Sequence, residues 1–368
     1  MTRKIFAALV LTGVLSAGAA AHGAAMHDEL LTATKPDSLF VVDPQKRAVV
    51  SQFHIPGAHD YVGTIVPSPH GRIAYLLING MESIAGIDLK TGREVFRADL
   101  SSPGERVRCV FGFDVTPDGK DLIVYEVPTR LGIDEYTAEP PRFAIFSTAG
   151  GLHAQPLREF PAPRRIAMVL AKRDGRSFYA IGFNLYQFDL KTGRLIGKRG
   201  ILDWNRPNHS IPDLLAVWPV SEPTGIFSTP IYSTLTGPGL PAAGVPETSL
   251  MTLNLRTGAL AYHDFERTTA PIFTTVVSPN RRWAYGVYTQ LTKIDTRHWD
   301  VARQVNLPHT YYSVAISSDG RDVYAGGTMC DIAIYDAKTL RQKGDIKLPG
   351  CGDQATATMR LIEVPSSR

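Results

Sequence analysis

The stretch "AGIDLKTGREV" at Ala85–Val95 returns as "YQFDLKTGRLI" at Tyr186–Ile196, with six consecutive identities over Asp88–Arg93 and Asp189–Arg194. Such a match marks a repeat, and repeats decide a fold before any local reading does. Each copy follows a strand-like run. Asp-x-x-Thr-Gly is what a tight turn between strands requires, because Asp bonds its own backbone and Gly takes a positive φ. Weaker copies are "DPQKRAVV" at Asp43, "STAGG" at Ser147, "NLRTGAL" at Asn254, "DTRHWDV" at Asp295 and "DAKTLRQK" at Asp336. That makes seven.

A second turn precedes most copies: "SPHGR" at Ser68, "TPDGK" at Thr116, "KRDGR" at Lys172, "SEPTG" at Ser221, "SPNRR" at Ser278 and "SSDGR" at Ser317. Each unit of about 40–55 residues therefore reads as four antiparallel strands, one propeller blade. Nothing linker-like in composition divides the units, which disfavours separate sandwiches. Six units carry both turns. The seventh is split between "LFVVDPQKRAVVSQF" near the N-terminus and the orphan "ATATMRLIEV" at the other end, and pairing them closes the ring without an exposed edge. The expected fold is all-β, a seven-bladed β-propeller over residues 26–368 whose last blade is closed by N- and C-terminal strands.

Residues 1–25 read as a secretory signal peptide: Arg3 and Lys4, an apolar run from Ile5 to Leu15, then small residues with cleavage sites near Ala21 or Ala24. The run is too short for a stable bilayer anchor, and no later segment has 18 consecutive apolar residues. The expectation is an exported, periplasmic protein with no membrane span after cleavage. Net charge is only +4 and scattered, without the basic stripe of a nucleic-acid binder.

In a four-stranded blade the first-to-second and third-to-fourth turns share one face of the disc. The second-to-third loops and the blade-to-blade crossings share the other. Here the turn face is monotonous, whereas the crossing face carries long inserts at Val127–Arg142 and Ser233–Ser249. Long loops on a rigid scaffold are where function tends to sit. Residues expected to line the partner or pocket face are Tyr61, Arg106, Phe111, Tyr136, Arg165, Asp213, Phe273, His309, Tyr311 and Tyr312. Their aromatic and Arg content suits an interface core, although innermost strands also point side chains into a central channel.

Catalytic signatures are missing. The chain has no Cys-x-x-Cys, no phosphate loop, no His-Glu-x-x-His and no Gly-x-Ser-x-Gly. His54, His59 and Asp60 lie close in sequence, but loop histidines are ordinarily solvated or bonded to backbone, so no metal is assigned. Cys330 and Cys351 fall on the crossing face of neighbouring blades, where a disulfide is geometrically reasonable; Cys109, expected to begin the inner strand of blade two, is the odd, buried one.

"GRIAYLLINGMESIAGIDLKTGREV" (71–95), "LSSPGERVRCVFGFDVTPDGKDLIVYEVPTRL" (100–131), "DLLAVW" (213–218) and "LPHTYYSVAISSDGRDVYAGG" (307–327) followed by "DIAIYDAKTL" (331–340) resemble the β subunit of quinohemoprotein amine dehydrogenase. The resemblance runs across nearly the whole chain after residue 25, and Cys330 and Cys351 depart from it. It implies a periplasmic heterotrimer that oxidises primary amines to aldehydes and ammonia. The partners would be a dihaem cytochrome c subunit and a small subunit bearing cysteine tryptophylquinone. This chain would be a non-catalytic propeller with no cofactor of its own, scaffolding the others and walling part of the substrate pocket. Two other classes stay open. One is a stand-alone lactonase-like hydrolase, for which Asp60, Asp213, His309 and Asp353 are the available groups; the other is a periplasmic binding propeller.

Overall fold

A computed structural model describes residues 26–214, 224–267, 271–355 and 358–365. The segment 1–25 read as a signal peptide, Trp218 and the start of the turn at Ser221 lie outside them. Among the described residues seven antiparallel sheets make seven blades with four strands each in radial order, and the sheet of blade two carries two further short strands. Blade one spans Ile65–Asp99, blade two Phe113–Pro161, blade three Met168–Gly200, blade four Asp213–Glu266, blade five Thr274–Asn306 and blade six Ser313–Lys347. The seventh is composite. Arg360–Pro365 is its innermost strand and pairs with Met26–Thr34, which pairs with Ser38–Asp43, which pairs with Ala48–His54. The N-terminus thus contributes three strands.

Ring closure is visible in the packing. There are seven hydrophobic clusters, and each fills the gap between one pair of adjacent blades. In blade one, Tyr75 and Leu77 face blade two, whereas Ala74, Leu76 and Ile78 face the composite blade. A strand buried on both faces needs apolar residues at every position, which is why "IAYLLI" shows no alternation. Outermost strands meet water on one side and do alternate, as in Pro156–Pro161.

The repeated phrase is the third-to-fourth turn. The Asp88 Oδ1 accepts from the backbone N–H of Lys90 (3.1 Å) and Thr91 (2.9 Å), and Gly92 follows at φ +70°. Asp43, Asp189, Asn254, Asp295 and Asp336 bond their own backbones in the same way. Where the glycine is replaced, Arg47, Trp299 and Leu340 still take a positive φ, so the conformation outlasts the motif.

Two features correct the sequence reading. About half of each insert, in blades two and four, is extended strand rather than loop. Ile226–Leu235 and Val245–Asn254 pair along their whole length, down to Leu235↔Val245. In blade two, Asp121–Leu131 runs past the blade, and its outer half pairs with Glu105–Arg108 and Tyr136–Ala138 as a projecting flap. Continuing the ladder satisfies backbone groups that an irregular insert would leave to water. Secondly, the inner strand of blade two starts at Phe113, so Cys109 precedes it, beside the flap, although fully buried.

Candidate docking face

Chain entry into the inner strands shapes the crossing face. Asp60 (φ +82°), Phe111 (+61°), Arg165 (+62°), Asn205 (+46°), Asn208 (+61°) and Ala355 (+46°) hold left-handed backbone at five of the seven crossings. Such conformations cost energy in non-glycine residues and persist where the surroundings enforce them. Immediately after the bend the chain rejoins its blade: Gly63 donates to the Leu77 carbonyl at 2.8 Å and Ala167 to that of Ile181 at 2.8 Å.

The side chains sort into groups. Phe273 packs on Tyr288 and Tyr312, with ring centroids 4.1 and 4.7 Å away, and Thr274 Oγ1 donates to the Tyr312 carbonyl. The Arg165 guanidinium lies 4.7 Å from the Phe183 ring centroid. Tyr61 and Phe111 are half-buried near the channel mouth. Burial, reinforced by the neighbouring Asp60 charge, raises the Tyr61 hydroxyl above its usual range. Arg106 and Arg108 both reach Glu82, whose carboxyl is held low by those contacts against its burial. With His59, Asp60, Asn79 and Asp99 they line a polar cleft of about 500 Å³.

Tyr136 stands 77% exposed on the flap, beside fully exposed Ile133. Asp213 is exposed on the short first strand of blade four. Tyr311 is a correction: it is completely buried between blades five and six, and its hydroxyl donates to Asp331 Oδ2 at 2.7 Å. It therefore has no surface to offer a partner. His309 is tied to the same carboxylate, with Nε2 3.0 Å from Asp331 Oδ1. Of the groups a hydrolase would need, His309 is engaged there, and Asp353 accepts from the backbone N–H of Met329 and Ala355.

Tyr288 and Phe183 escape sequence reading because they sit in second-to-third turns, not crossings. A large apolar residue inside so short a turn, "GFN", is the signal that could have found the latter. Cys330 and Cys351 are joined by a disulfide, with Cα atoms 4.8 Å apart. Among the described residues one group has metal-ligand geometry: His209, Glu247 and Asp264, beside the crossing from blade three to blade four. His54 is instead paired with Asp37 at 3.1 Å. A second cavity, about 540 Å³, opens at the turn-face end of the channel among His70, Asp114, Arg173, Arg360 and Glu363. There burial raises the Asp114 carboxyl, although the Ala171 N–H donates to it at 2.8 Å.

No known sequence family matches the chain, and no curated protein does. Solved structures match it over most of its length. Hydrazine synthase of Kuenenia stuttgartiensis aligns at 14% identity and a TM-score of 0.53, covering 85% of this chain and 90% of that one. Dihydro-heme d1 dehydrogenase NirN, in complex with DHE, aligns at 14% and 0.56, covering 90% and 74%. A functionally unknown protein from Desulfotomaculum acetoxidans aligns at 9% and 0.59, covering 92% and 100%. At these identities the likeness concerns the fold: this chain is a β-propeller.

Proposed function

We propose that the chain is the cofactor-free propeller subunit of a periplasmic amine dehydrogenase of the quinohemoprotein type. Its crossing face would dock a dihaem cytochrome c subunit and a small cysteine tryptophylquinone subunit, and would wall part of the amine pocket. The observation that carries this reading is where exposed apolar side chains stand. Val110, Leu131, Ile133, Tyr136, Phe183, Ile211 and Met329 all lie on crossings, on second-to-third turns or on the flap. The other exposed large apolar residues stand on outermost strands (Val50, Val95, Leu157, Leu195 and Ile196) or toward the turn face (Met26 and Leu152). The three most exposed of all, Ile133, Tyr136 and Ile211, are on the crossing side, and a concentration of exposed apolar groups marks an interaction surface. The resemblance of "ERVRCVFG" and "LPHTYYSV" to the amine dehydrogenase β subunit supplies the kind of partner.

The test is purification of the chain from its native periplasm and, separately, alone. The native preparation should carry haem absorbance and reduce dye with primary amines. The chain alone should be colourless and inactive. Turnover by the isolated polypeptide would refute the subunit reading.

A further inference from the structure

We infer that His209, Glu247 and Asp264 form a divalent-cation site of the zinc class, one that pins the crossing from blade three to blade four onto blade four. The inference does not depend on the docking reading above. Register brings the carboxylates together. Glu247 lies opposite Ser233, and Asp264 opposite Ser249 two positions on, so all four side chains share the face of blade four turned toward blade three. The same face carries Met251 and Leu253 into the core with blade three. The crossing covers it with Trp204, Arg206 and His209, and Trp204 meets the His209 ring edge-on at 5.8 Å.

The histidine's two nitrogens decide the chemistry. Nδ1 lies 2.7 Å from the Pro207 carbonyl oxygen, which can only accept, so Nδ1 carries a hydrogen. A backbone carbonyl in that role is the usual support of a metal-bound imidazole. Nε2 then points a lone pair at Glu247 Oε2, 2.7 Å away, and at Asp264 Oδ2, 4.0 Å away. Two acceptors so close need a positive centre, either a proton or a cation. The three ligand atoms lie within 4.8 Å of one another, and around a tetrahedral zinc such atoms stand about 3.3 Å apart, so the wider pairs would close by up to about 1.5 Å through side-chain rotation. An independent sign is Ser233. Its hydroxyl is more than nine-tenths buried, has no hydrogen-bond partner, and sits directly across the ladder from Glu247. A fourth ligand, water or the hydroxyl itself, would satisfy it.

Two arginines compete with a cation. Arg206 holds both oxygens of Asp264, and Arg267, well exposed, lies 3.9 Å from Glu247 Oε1. The two guanidiniums balance the two carboxylates before any cation enters, and Arg206, the closer of them, sets the affinity. Removing it should tighten binding.

The test equilibrates the full chain with Zn²⁺ against a chromophoric chelator and, in parallel, with Co²⁺. One zinc per chain is expected, with a visible Co²⁺ spectrum of four-coordinate intensity and proton release on binding. His209→Gln and Glu247→Gln should each weaken zinc at least about 100-fold, and Arg206→Gln should strengthen it about tenfold, second-ligand-sphere changes being of that size. Melting in EDTA checks that the variants fold. Absence of stoichiometric zinc and of the Co²⁺ bands in the unmodified chain overturns the site. So does undiminished binding in both ligand variants.

Discussion

Glu126 is a buried carboxylate served by one guanidinium, and that guanidinium is shared. Arg142 contacts Glu126 (2.7 Å), Glu105 (3.1 Å) and Glu159 (3.2 Å). Burial pushes Glu126 up to about 7, and Arg142 offsets it only in part. A carboxyl whose native pKa is raised binds its proton more tightly folded than unfolded. Stability should therefore fall as pH rises from the ordinary carboxylate range to about 7, by roughly 3 kcal/mol at most. Glu126→Gln removes that dependence, so urea titrations should show its stability gain over the unmodified protein growing from pH 5 to pH 8. A constant gain would mean Glu126 titrates normally. Glycines offer a sharper contrast. At Gly193 (φ +66°) a Cβ would stand 2.1 Å from Phe160 Cγ, whereas at Gly175 (φ +65°) nothing lies within 4 Å. Gly175→Ala should cost about 1 kcal/mol from backbone strain alone, and Gly193→Ala several. Equal melting-temperature losses would contradict the packing. The turn residues were legible in sequence because their bonds are local. Glu126 and His209 were not, because register between distant strands supplies their partners.

Flap and hairpin are the elements on which docking rests. Their existence was readable as length and composition at 127–142 and 233–249, but not their strand character: the flap pairs with Glu105–Arg108, a segment that reads as a crossing, and the hairpin closes on itself through Pro- and Gly-rich sequence that reads as loop. The strand Met26–Thr34 was missed for a related reason: "MHDELLTAT" carries acidic residues, and buried Asp28 makes sense only once Ser318 N–H donates to it from blade six. Joint Ile133→Ser and Tyr136→Ala substitution should weaken partner association by about 2 kcal/mol or more. Folding should change by less than about 0.5 kcal/mol, because both side chains are exposed. Tyr312→Ala should also weaken docking, with some loss of stability from the Phe273 contact. Lys90→Ser and Lys191→Ser, on the opposite face, should leave pull-down of the cytochrome and quinone subunits unchanged. The reverse pattern would place the partners on the turn face.

For the whole molecule, blade count and closure followed from counting two turns along the chain, while the radial assignment of the composite blade required the structure. The inner strand Arg360–Pro365 contributes Ile362 to one inter-blade core, and Leu361 packs against another. A chain ending at Ala355 should lose both and leave Met26–Thr34 an unpaired edge; loss of a cooperative melt, with aggregation, is expected. A sharp unfolding transition in that truncation would show the ring does not need its clasp. The disulfide enters next to the clasp, and reducing it should lower stability by about 3 kcal/mol for its 21-residue separation. Because Met26 pairs with Pro365, timing is built into the topology. The two strands of that pair are separated in sequence by all six other blades, so no chain without Arg360–Pro365 can present a closed ring. Until Arg360–Pro365 docks, the flank of Met26–Thr34 stays uncovered, and a refolding chain should remain protease-sensitive and then harden in one step.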